Sequence, residues 1–268
     1  EMVLADIYSF IKSNENLLET KHLVKHPIYG VYIIITYLFL VKLIIPKIMK
    51  ERKPYDMRWV VVTYNLLLSI LNGIVAFYII KYLVASWKVR CEMRASKEIY
   101  DHYIQLVHCT WYAWLTKYLE LLDTIFFALR KKDNQITFLH LFHHSFIVLI
   151  WLYLYHQPYV PYYAIVACGI NLSIHVVMYL YYGLAAIGPH MRKYLWWKKY
   201  LTRLQIMQFI IILGFATFGF LTGCEHANNG EIILFAFVTV VLILFLDFYK
   251  KSYHNKVTDK RANGVKVS

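Results

Sequence analysis

Residues 134–191 read NQITFLHLFHHSFIVLIWLYLYHQPYVPYYAIVACGINLSIHVVMYLYYGLAAIGPHM, and no Asp, Glu, Lys or Arg occurs among them. The stretch is far longer than the ~20 residues with which a helix crosses a bilayer. Pro158 and Pro161 interrupt it, and proline ends a helix because it lacks the backbone N–H and its ring clashes with the preceding turn. We therefore predict two apolar helices joined by a tight turn over residues 157–161, that is, a helical hairpin within a membrane.

The whole chain shares this apolar character. Of its 268 residues, 59% are hydrophobic and 17% are charged, whereas a soluble domain has ~45–50% and ~25%. These fractions exclude a water-soluble globule, a disordered chain and a collagen-like repeat. They predict an all-α polytopic membrane protein with seven transmembrane helices. The seven apolar segments lie at 28–46, 59–80, 106–129, 137–156, 161–183, 204–222 and 232–249.

Basic residues predict the orientation, because cytosolic loops carry an excess of Lys and Arg. Loops 1, 3 and 5 and the C-terminal tail hold 19 of the 29 Lys and Arg residues, and the opposite side holds 8. Loop 2, with 5 of those 8, is the discordant segment. The net charge of +13 therefore indicates loops beside anionic lipid or an anionic substrate rather than nucleic-acid binding.

This orientation divides the chain into three parts. We expect a lumenal tail over residues 1–27, a seven-helix transmembrane catalytic domain over 28–250 and a cytosolic tail over 251–268. No cleavable signal peptide is expected in the first 30 residues, because they mix charges with short apolar runs.

The four cysteines are too few and too scattered for a disulfide scaffold or a paired metal site. Cys91 in loop 2 and Cys224 in loop 6 both fall on the lumenal, oxidising side, where a disulfide can persist. The sequence leaves open whether they pair or are unrelated free thiols. Cys168, two turns before His175, is interpreted as a small buried hydrophobic residue rather than a thiol nucleophile.

Polar side chains recur inside four predicted spans, where ionisable groups are costly and are functional candidates by default. Within each span they are three or four residues apart, so they share one face of a helix. The third and fourth spans carry Lys117, Glu120, Asp123, Thr124, His140, His143 and His144. The fifth and sixth carry Asn171, His175, Tyr179, Tyr182, Thr202, Gln205 and Gln208.

The four sets also share one depth. A helix rises ~1.5 Å per residue, so depth can be counted from each cytosolic end. The representatives of the four spans are Asp123, His143, His175 and Gln208. All four lie roughly 5–15 Å deep by this count. Because independent structural patches have no reason to match in depth, the sequence predicts an active site in the cytosolic leaflet.

Structural interpretations of the same residues stay open. Lys117 and Glu120 suit a buried ion pair, and the two glutamines suit hydrogen bonds between helices. A di-iron oxygenase needs more cytosolic histidines than the sequence supplies, since only His190 and His254 join the cluster on that side. A single zinc held by three imidazoles, with one position open, is harder to set aside. We predict no metal site.

Four motifs in order resemble the ELO family of very-long-chain fatty acid elongases, of the animal type. HxxHH alone would be weak, because desaturases share it, but the set covers roughly residues 28–250. The elements are KYLELLDT at 117–124 for KxxExxDT, HLFHH at 140–144 for HxxHH, NLSIHVVMYLYY at 171–182 for NxxxHxxMYxYY and TRLQIMQ at 202–208 for TxxQxxQ. RKP at 52–54 and LWWKKY at 195–200 also look like family elements.

The resemblance implies the condensing step of fatty-acid elongation: a long-chain acyl-CoA and malonyl-CoA give 3-ketoacyl-CoA, CO2 and CoA. It implies an endoplasmic reticulum membrane location, with helices 2–7 ringing a narrow acyl tunnel. It implies no bound cofactor, acyl-CoA, malonyl-CoA and membrane lipid as partners, and a homodimer that meets other enzymes of the elongation cycle. Nucleic acid is not expected to bind.

Roles follow from the chemistry and the resemblance together. In the family the middle histidine of the box is the proposed nucleophile, here His143, which would form an acyl-imidazole. The expected catalytic residues are His143, His175, His140, His144, Asp123 and Glu120. The expected substrate-binding residues are Lys117, Asn171, Tyr179, Tyr182, Gln205, Gln208, Lys131 and Lys198. The last two belong to the basic cytosolic rim, where CoA phosphates would lie.

Two functions from other classes compete with this interpretation. A seven-helix receptor shares the number of spans and the topology but has no need of matched imidazole and carboxylate sets. A zinc-dependent membrane hydrolase acting on an amide lipid would use the same histidines as ligands. Acyl chain length and unsaturation depend on how a tunnel ends, and no residue of the sequence indicates that.

Overall fold

The computed structural model describes residues 21–92, 97–157, 159–224 and 229–255. Most of the predicted tails, at 1–20 and 256–268, lie outside these ranges. Within them the chain is almost entirely helical and contains no β-strand. The helices are α1 (His22–Lys25), α2 (Pro27–Phe39), α3 (Ile45–Met49), α4 (Arg58–Ser86), α5 (Lys97–Glu120), α6 (Leu122–Leu129), α7 (Phe138–Tyr155), α8 (Tyr162–Ile187), α9 (Lys198–Thr222) and α10 (Asn229–Tyr249).

Six stretches of helix are long and apolar enough to cross a membrane in the part of the chain that the structure describes. They are Pro27–Met49, Arg58–Cys91, Phe138–Tyr155, Tyr162–Ile187, Lys198–Thr222 and Asn229–Tyr253. The third predicted span, 106–129, is helical too, in α5 and α6. It carries the buried Lys117, Glu120 and Asp123. This span therefore differs from the other six in its polar composition and not in lacking a helix. The chain is therefore a multi-pass membrane protein.

The first span contains a π-helical turn at Leu40–Ile44, between α2 and α3. Pro46 follows this turn. A proline lacks the N–H and clashes with the carbonyl four residues earlier, which here belongs to Lys42 within the turn. Widening of the helix next to a proline is a common way to accommodate that clash.

Contacts between helices close into a ring. In order around it, α4 contacts α8, α8 contacts α9, α9 contacts α10, α10 contacts α7, α7 contacts α5, and α5 returns to α4. Helix α2 lies against α7, and α3 lies against α6. Gly30 permits the α2–α7 approach, because a Cβ there would come within 2.9 Å of Leu152 Cδ2 and 3.1 Å of the Tyr118 hydroxyl.

The two helices of the predicted hairpin are present, but they do not pack mainly against each other as a hairpin would. Helix α7 ends at Tyr155 and α8 begins at Tyr162, and Pro158 lies outside the described residues. The two helices nevertheless take their main contacts from other members of the ring. The connection is held against α5, since the Tyr103 hydroxyl donates to Val160 O at 3.0 Å and accepts from Val160 N at 2.8 Å.

The largest cluster of buried apolar side chains extends toward the end of the ring that is predicted to be lumenal. Its buried members on α5, α7 and α8 include Trp114, Leu154 and Ile165. At that end Cys91 and Cys224 form a disulfide with a Cα–Cα distance of 4.7 Å. The structure thus joins the two cysteines whose pairing the sequence left open. The polar residues of α5, α7 and α8 lie beyond this core, toward the predicted cytosolic side.

Candidate active site

Three charged or titratable side chains of α5 and α8 form the centre of the site. Lys117 Nζ donates to Glu120 Oε1 and Oε2 at 2.9 and 3.1 Å. His175 Nδ1 lies 3.1 Å from Lys117 Nζ and 3.2 Å from Glu120 Oε1. Because all three residues are buried, the ammonium and the carboxylate neutralise one another in an apolar surrounding. The ion pair that the sequence left as a structural alternative is therefore present, and His175 is part of it.

A second contact between the same regions holds the other carboxylate. Tyr179 OH donates to Asp123 Oδ2 at 2.8 Å, and both residues are buried. His175 and Tyr179 are one turn apart on α8, as Glu120 and Asp123 are nearly one turn apart across the α5–α6 junction at Leu121. Each acidic residue therefore meets its own partner on α8, and neither is shared.

The histidine box lies in the first turns of α7. Thr137 caps this helix, since its hydroxyl accepts from His140 N at 3.2 Å. His140 Nε2 is 2.7 Å from Thr124 Oγ1, and its ring centroid is 4.3 Å from that of His144. The His143 ring centroid lies 6.5 Å from that of His175 and 6.4 Å from that of Phe237 on α10.

Helix α9 adds amide side chains to the same layer. Asn171 Nδ2 donates to Gln208 Oε1 at 3.4 Å across the α8–α9 contact, and Gln208 is buried. Gln205 Nε2 is 3.4 Å from Met178 Sδ. The polar sets of the third to sixth predicted spans thus meet in one region, as their matched depth predicts. These amide contacts are also what a purely structural interpretation of the glutamines predicts.

Three of the predicted binding residues lie at the periphery. Lys131 is exposed and donates to Lys50 O at 3.4 Å, and it ends α6 with a left-handed φ of 52°. At this helix end Lys132 N donates to Phe127 O, and Lys131 N donates to Ala128 O. These two bonds form a Schellman motif. Lys198 begins α9 and is exposed, and Tyr182 is 39% exposed with its ring 6.3 Å from Tyr179. Among the described contacts, none of the three bonds to the central cluster.

Two tyrosines of the site were missed by the sequence interpretation. The Tyr37 hydroxyl on α2 lies 2.6 Å from Thr124 Oγ1, and Tyr64 on α4 donates to Leu119 O at 3.0 Å with its ring 6.5 Å from Tyr179. A signal for Tyr37 exists, since Gly30, Ile34, Tyr37 and Val41 are the buried face of the first span. The signal is weak because the chain has 24 tyrosines, most of which suit a membrane interface.

Neutral imidazoles in this layer can act as nucleophile, base or hydrogen-bond donor. His175 Nδ1 faces an ammonium and His140 Nε2 faces a hydroxyl, so one nitrogen of each ring is already engaged by a side chain. Within the described residues no three His, Cys, Asp or Glu side chains are grouped so as to hold a metal ion.

Comparison with known proteins gives consistent results. The family model described as ELO: GNS1/SUR4 family matches residues 22–261. Very long chain fatty acid elongase 1 of Mus musculus is 34% identical over 263 residues, covering 94% of this chain and 91% of that protein. Elongase 7 of Rattus norvegicus is 31% identical over 255 residues, with 91% and 88% covered. Elongase 4 of Macaca mulatta is 36% identical over 238 residues, with 83% and 74% covered.

Proposed function

The chain belongs to the ELO (GNS1/SUR4) family, and from that membership and the site geometry we propose that it is the condensing enzyme of very-long-chain fatty-acid elongation. It is a 3-oxoacyl-CoA synthase that joins a long-chain acyl-CoA and malonyl-CoA. The products are 3-ketoacyl-CoA, CO2 and CoA. The relatives are named elongases, and the buried polar layer supplies the groups that this reaction needs.

One observation carries the proposal: imidazoles, carboxylates and amides from four helices meet in one buried layer. His175 contacts Lys117 and Glu120, and Asn171 contacts Gln208. Buried polar groups of this cost are retained in membranes where they handle a substrate or a proton. The apolar core on the lumenal side supports an acyl tail that extends beyond this layer, in a tunnel within the ring of helices.

In the first half-reaction, neutral His143 attacks the carbonyl carbon of the acyl thioester. The tetrahedral oxyanion collapses, the C–S bond breaks and CoA leaves as the thiolate, which takes up a proton. The acyl group remains on the imidazole. His140 and His144 donate hydrogen bonds to the oxyanion, and this donation stabilises charge that develops only in the transition state. Glu120 orients His175, and Asp123 holds Tyr179 on the same helix.

In the second half-reaction malonyl-CoA binds beside His175. Loss of its carboxylate as CO2 leaves the electron pair on the enolate of the thioester. A low-dielectric site favours this step because the charge localised on the carboxylate becomes spread over the enolate. The enolate carbon attacks the acyl carbon and the bond to His143 breaks. The imidazole, whose N–H proton went to the CoA thiolate in the first half-reaction, takes up a proton from water and returns to its starting state. Gln205 and Gln208 donate to the oxyanion of this step.

The basic cytosolic rim, with Lys131 and Lys198, binds the phosphates of CoA. The enzyme lies in the endoplasmic reticulum membrane with seven spans, the N-terminus in the lumen and the C-terminus in the cytosol. It uses no bound cofactor. It works as a homodimer in contact with the other enzymes of the cycle.

The test uses purified protein with an acyl-CoA panel, with and without malonyl-CoA. Wild type is expected to form 3-ketoacyl-CoA two carbons longer than the acceptor, and to carry one acyl group when malonyl-CoA is omitted, both detected by mass spectrometry. His143→Ala should lose both signals, while the control His156→Ala, at the exposed C-terminal end of α7, should retain them. An acyl adduct on His143→Ala would remove His143 from its role, and no product from folded wild type would overturn the function.

A further inference from the structure

We propose that Tyr37, on the first span, is a positioning residue that fixes the proton of His140 on Nδ1 through the hydroxyl of Thr124. The inference rests on the proposed function, in which His140 donates to the reacting oxygen. It assigns to α2, which lies against the ring rather than within it, a part in the chemistry of the site.

The contact is a chain of two short hydrogen bonds. Tyr37 OH and Thr124 Oγ1 are 2.6 Å apart, and Thr124 Oγ1 and His140 Nε2 are 2.7 Å apart. Tyr37 and Thr124 are buried, and Thr124 is not exposed at all. The chain of hydrogen bonds thus connects three separate parts of the sequence, α2, α6 and α7, and its first two members are shielded from water.

Thr124 can serve as this link because its hydroxyl is not used by its own helix. Thr110 and Thr116 on α5 donate to the carbonyls of Val107 and Ala113, each at 2.7 Å. Thr124 makes no such bond among the described contacts; its hydroxyl meets only Tyr37 and His140.

The direction of the chain follows from counting protons. A threonine hydroxyl has one proton, so it can donate to only one of its two neighbours. If it accepted from both, its own proton would have no acceptor among the described residues. If His140 Nε2–H donated to Thr124 and Thr124 to Tyr37, the buried phenol proton would have no acceptor among the described residues. An unpaired buried donor costs ~1–3 kcal/mol. The opposite direction, from Tyr37 to Thr124 to His140 Nε2, satisfies both hydroxyl protons.

In that direction His140 Nε2 is an acceptor, and the proton of the neutral ring is on Nδ1. No contact among the described residues engages Nδ1, and His140 is only partly buried. The Nδ1–H is therefore the group of this ring that remains for a substrate oxygen. The Tyr37 hydroxyl thus sets the tautomer of His140 through Thr124, as hydrogen-bond partners of functional histidines generally do.

Close packing holds Tyr37 in place. Gly30 lets α2 approach α7, and a Cβ at that position would lie 2.9 Å from Leu152 Cδ2. Ile34 and Val41, one turn on either side of Tyr37, are buried as well. The phenol is thus presented to Thr124 by a helix face that packs along its length.

The test compares Tyr37→Phe with the control Tyr32→Phe, an exposed tyrosine on the same helix. Tyr37→Phe is expected to lower kcat roughly tenfold or more, since losing an oxyanion donor costs ~10²–10³-fold, with little change in KM for acyl-CoA. Thr124→Ser should retain activity, and Thr124→Val should match Tyr37→Phe. The double variant Tyr37→Phe/Thr124→Val should be no worse than either, because both break one chain.

A spectroscopic measurement separates the inference from the proposed function. In protein with 15N-labelled histidine, the His140 resonances are identified by their loss in His140→Gln. Wild type should show the proton on Nδ1, and Tyr37→Phe a mixture of tautomers, whatever reaction the protein performs. A proton on Nε2 in wild type, an unchanged pattern in Tyr37→Phe, or equal loss of kcat in Tyr32→Phe would overturn the inference.

Discussion

Replacing Lys117 by Met should destabilise the protein more than any surface substitution. The change removes the ammonium that lies 2.9 Å from Glu120 Oε1 and preserves the shape of the side chain. Lys117 is 4% exposed and Glu120 0%, so water cannot replace the lost partner. Breaking a buried ion pair by removing one member costs ~3–5 kcal/mol, because the remaining charge is left uncompensated. His175 Nδ1, at 3.2 Å, is the nearest remaining partner of the carboxylate.

The double variant Lys117→Met/Glu120→Gln separates charge from packing. It has no buried charge, so most of the loss should be recovered, leaving ~1 kcal/mol for the missing hydrogen bonds. The free energy of unfolding is measured by denaturing detergent titration in mixed micelles, followed by the fluorescence of the 7 tryptophans. Activity is not the readout, because both residues belong to the proposed site.

A matched control exists near the end of α10. Lys251 Nζ and Asp247 Oδ2 are 2.7 Å apart, but both side chains are exposed. Lys251→Met should therefore cost only ~0–1 kcal/mol. If Lys117→Met unfolds like Lys251→Met, or if the double variant is no more stable than Lys117→Met, the buried charge pair does not determine stability here and the reasoning fails.

Tyr179→Phe removes the donor to Asp123. It should lower the free energy of unfolding by ~1.5–3 kcal/mol, as for a hydrogen bond to a charged group, and lower kcat in steady-state turnover. An equal effect of the control Tyr181→Phe would contradict this prediction. Because of the disulfide, alkylation of denatured, unreduced protein should label two of the four cysteines, and reduction should expose all four. The labels are counted from the intact mass. Four labels before reduction would show that the bond is absent.

The sequence predicts those parts of the fold that follow from a regular pattern of apolar and polar residues. Apolar segments long enough for a bilayer mark the helices, and polar residues three or four apart mark one face of each. Inside a membrane such a pattern carries much information, because every polar group there has a cost. The meeting of Glu120, His175 and Gln208 in one layer could therefore be expected before any contact was known.

The packing order of the helices could not be predicted in this way. A short connection suggests that α7 and α8 are neighbours, yet α5 is held against that connection by the two hydrogen bonds between Tyr103 and Val160. The ring order depends on which faces fit, and a tyrosine that bonds to backbone has no signature in the sequence. The disulfide was open for the same reason, since shared sidedness does not establish distance.

The position of Thr124 shows where local sequence rules stop. The helix is interrupted at Leu121, whose N–H bonds to Tyr118 O at 3.3 Å, although neither proline nor glycine is near. The hydroxyl of a threonine in a helix commonly donates to a backbone carbonyl of the preceding turn, as those of Thr110 and Thr116 do. Thr124, just after the interruption, bonds instead to α2 and α7. The KxxExxDT element therefore supplies more than charge, since its last residue connects the first span to the histidine box.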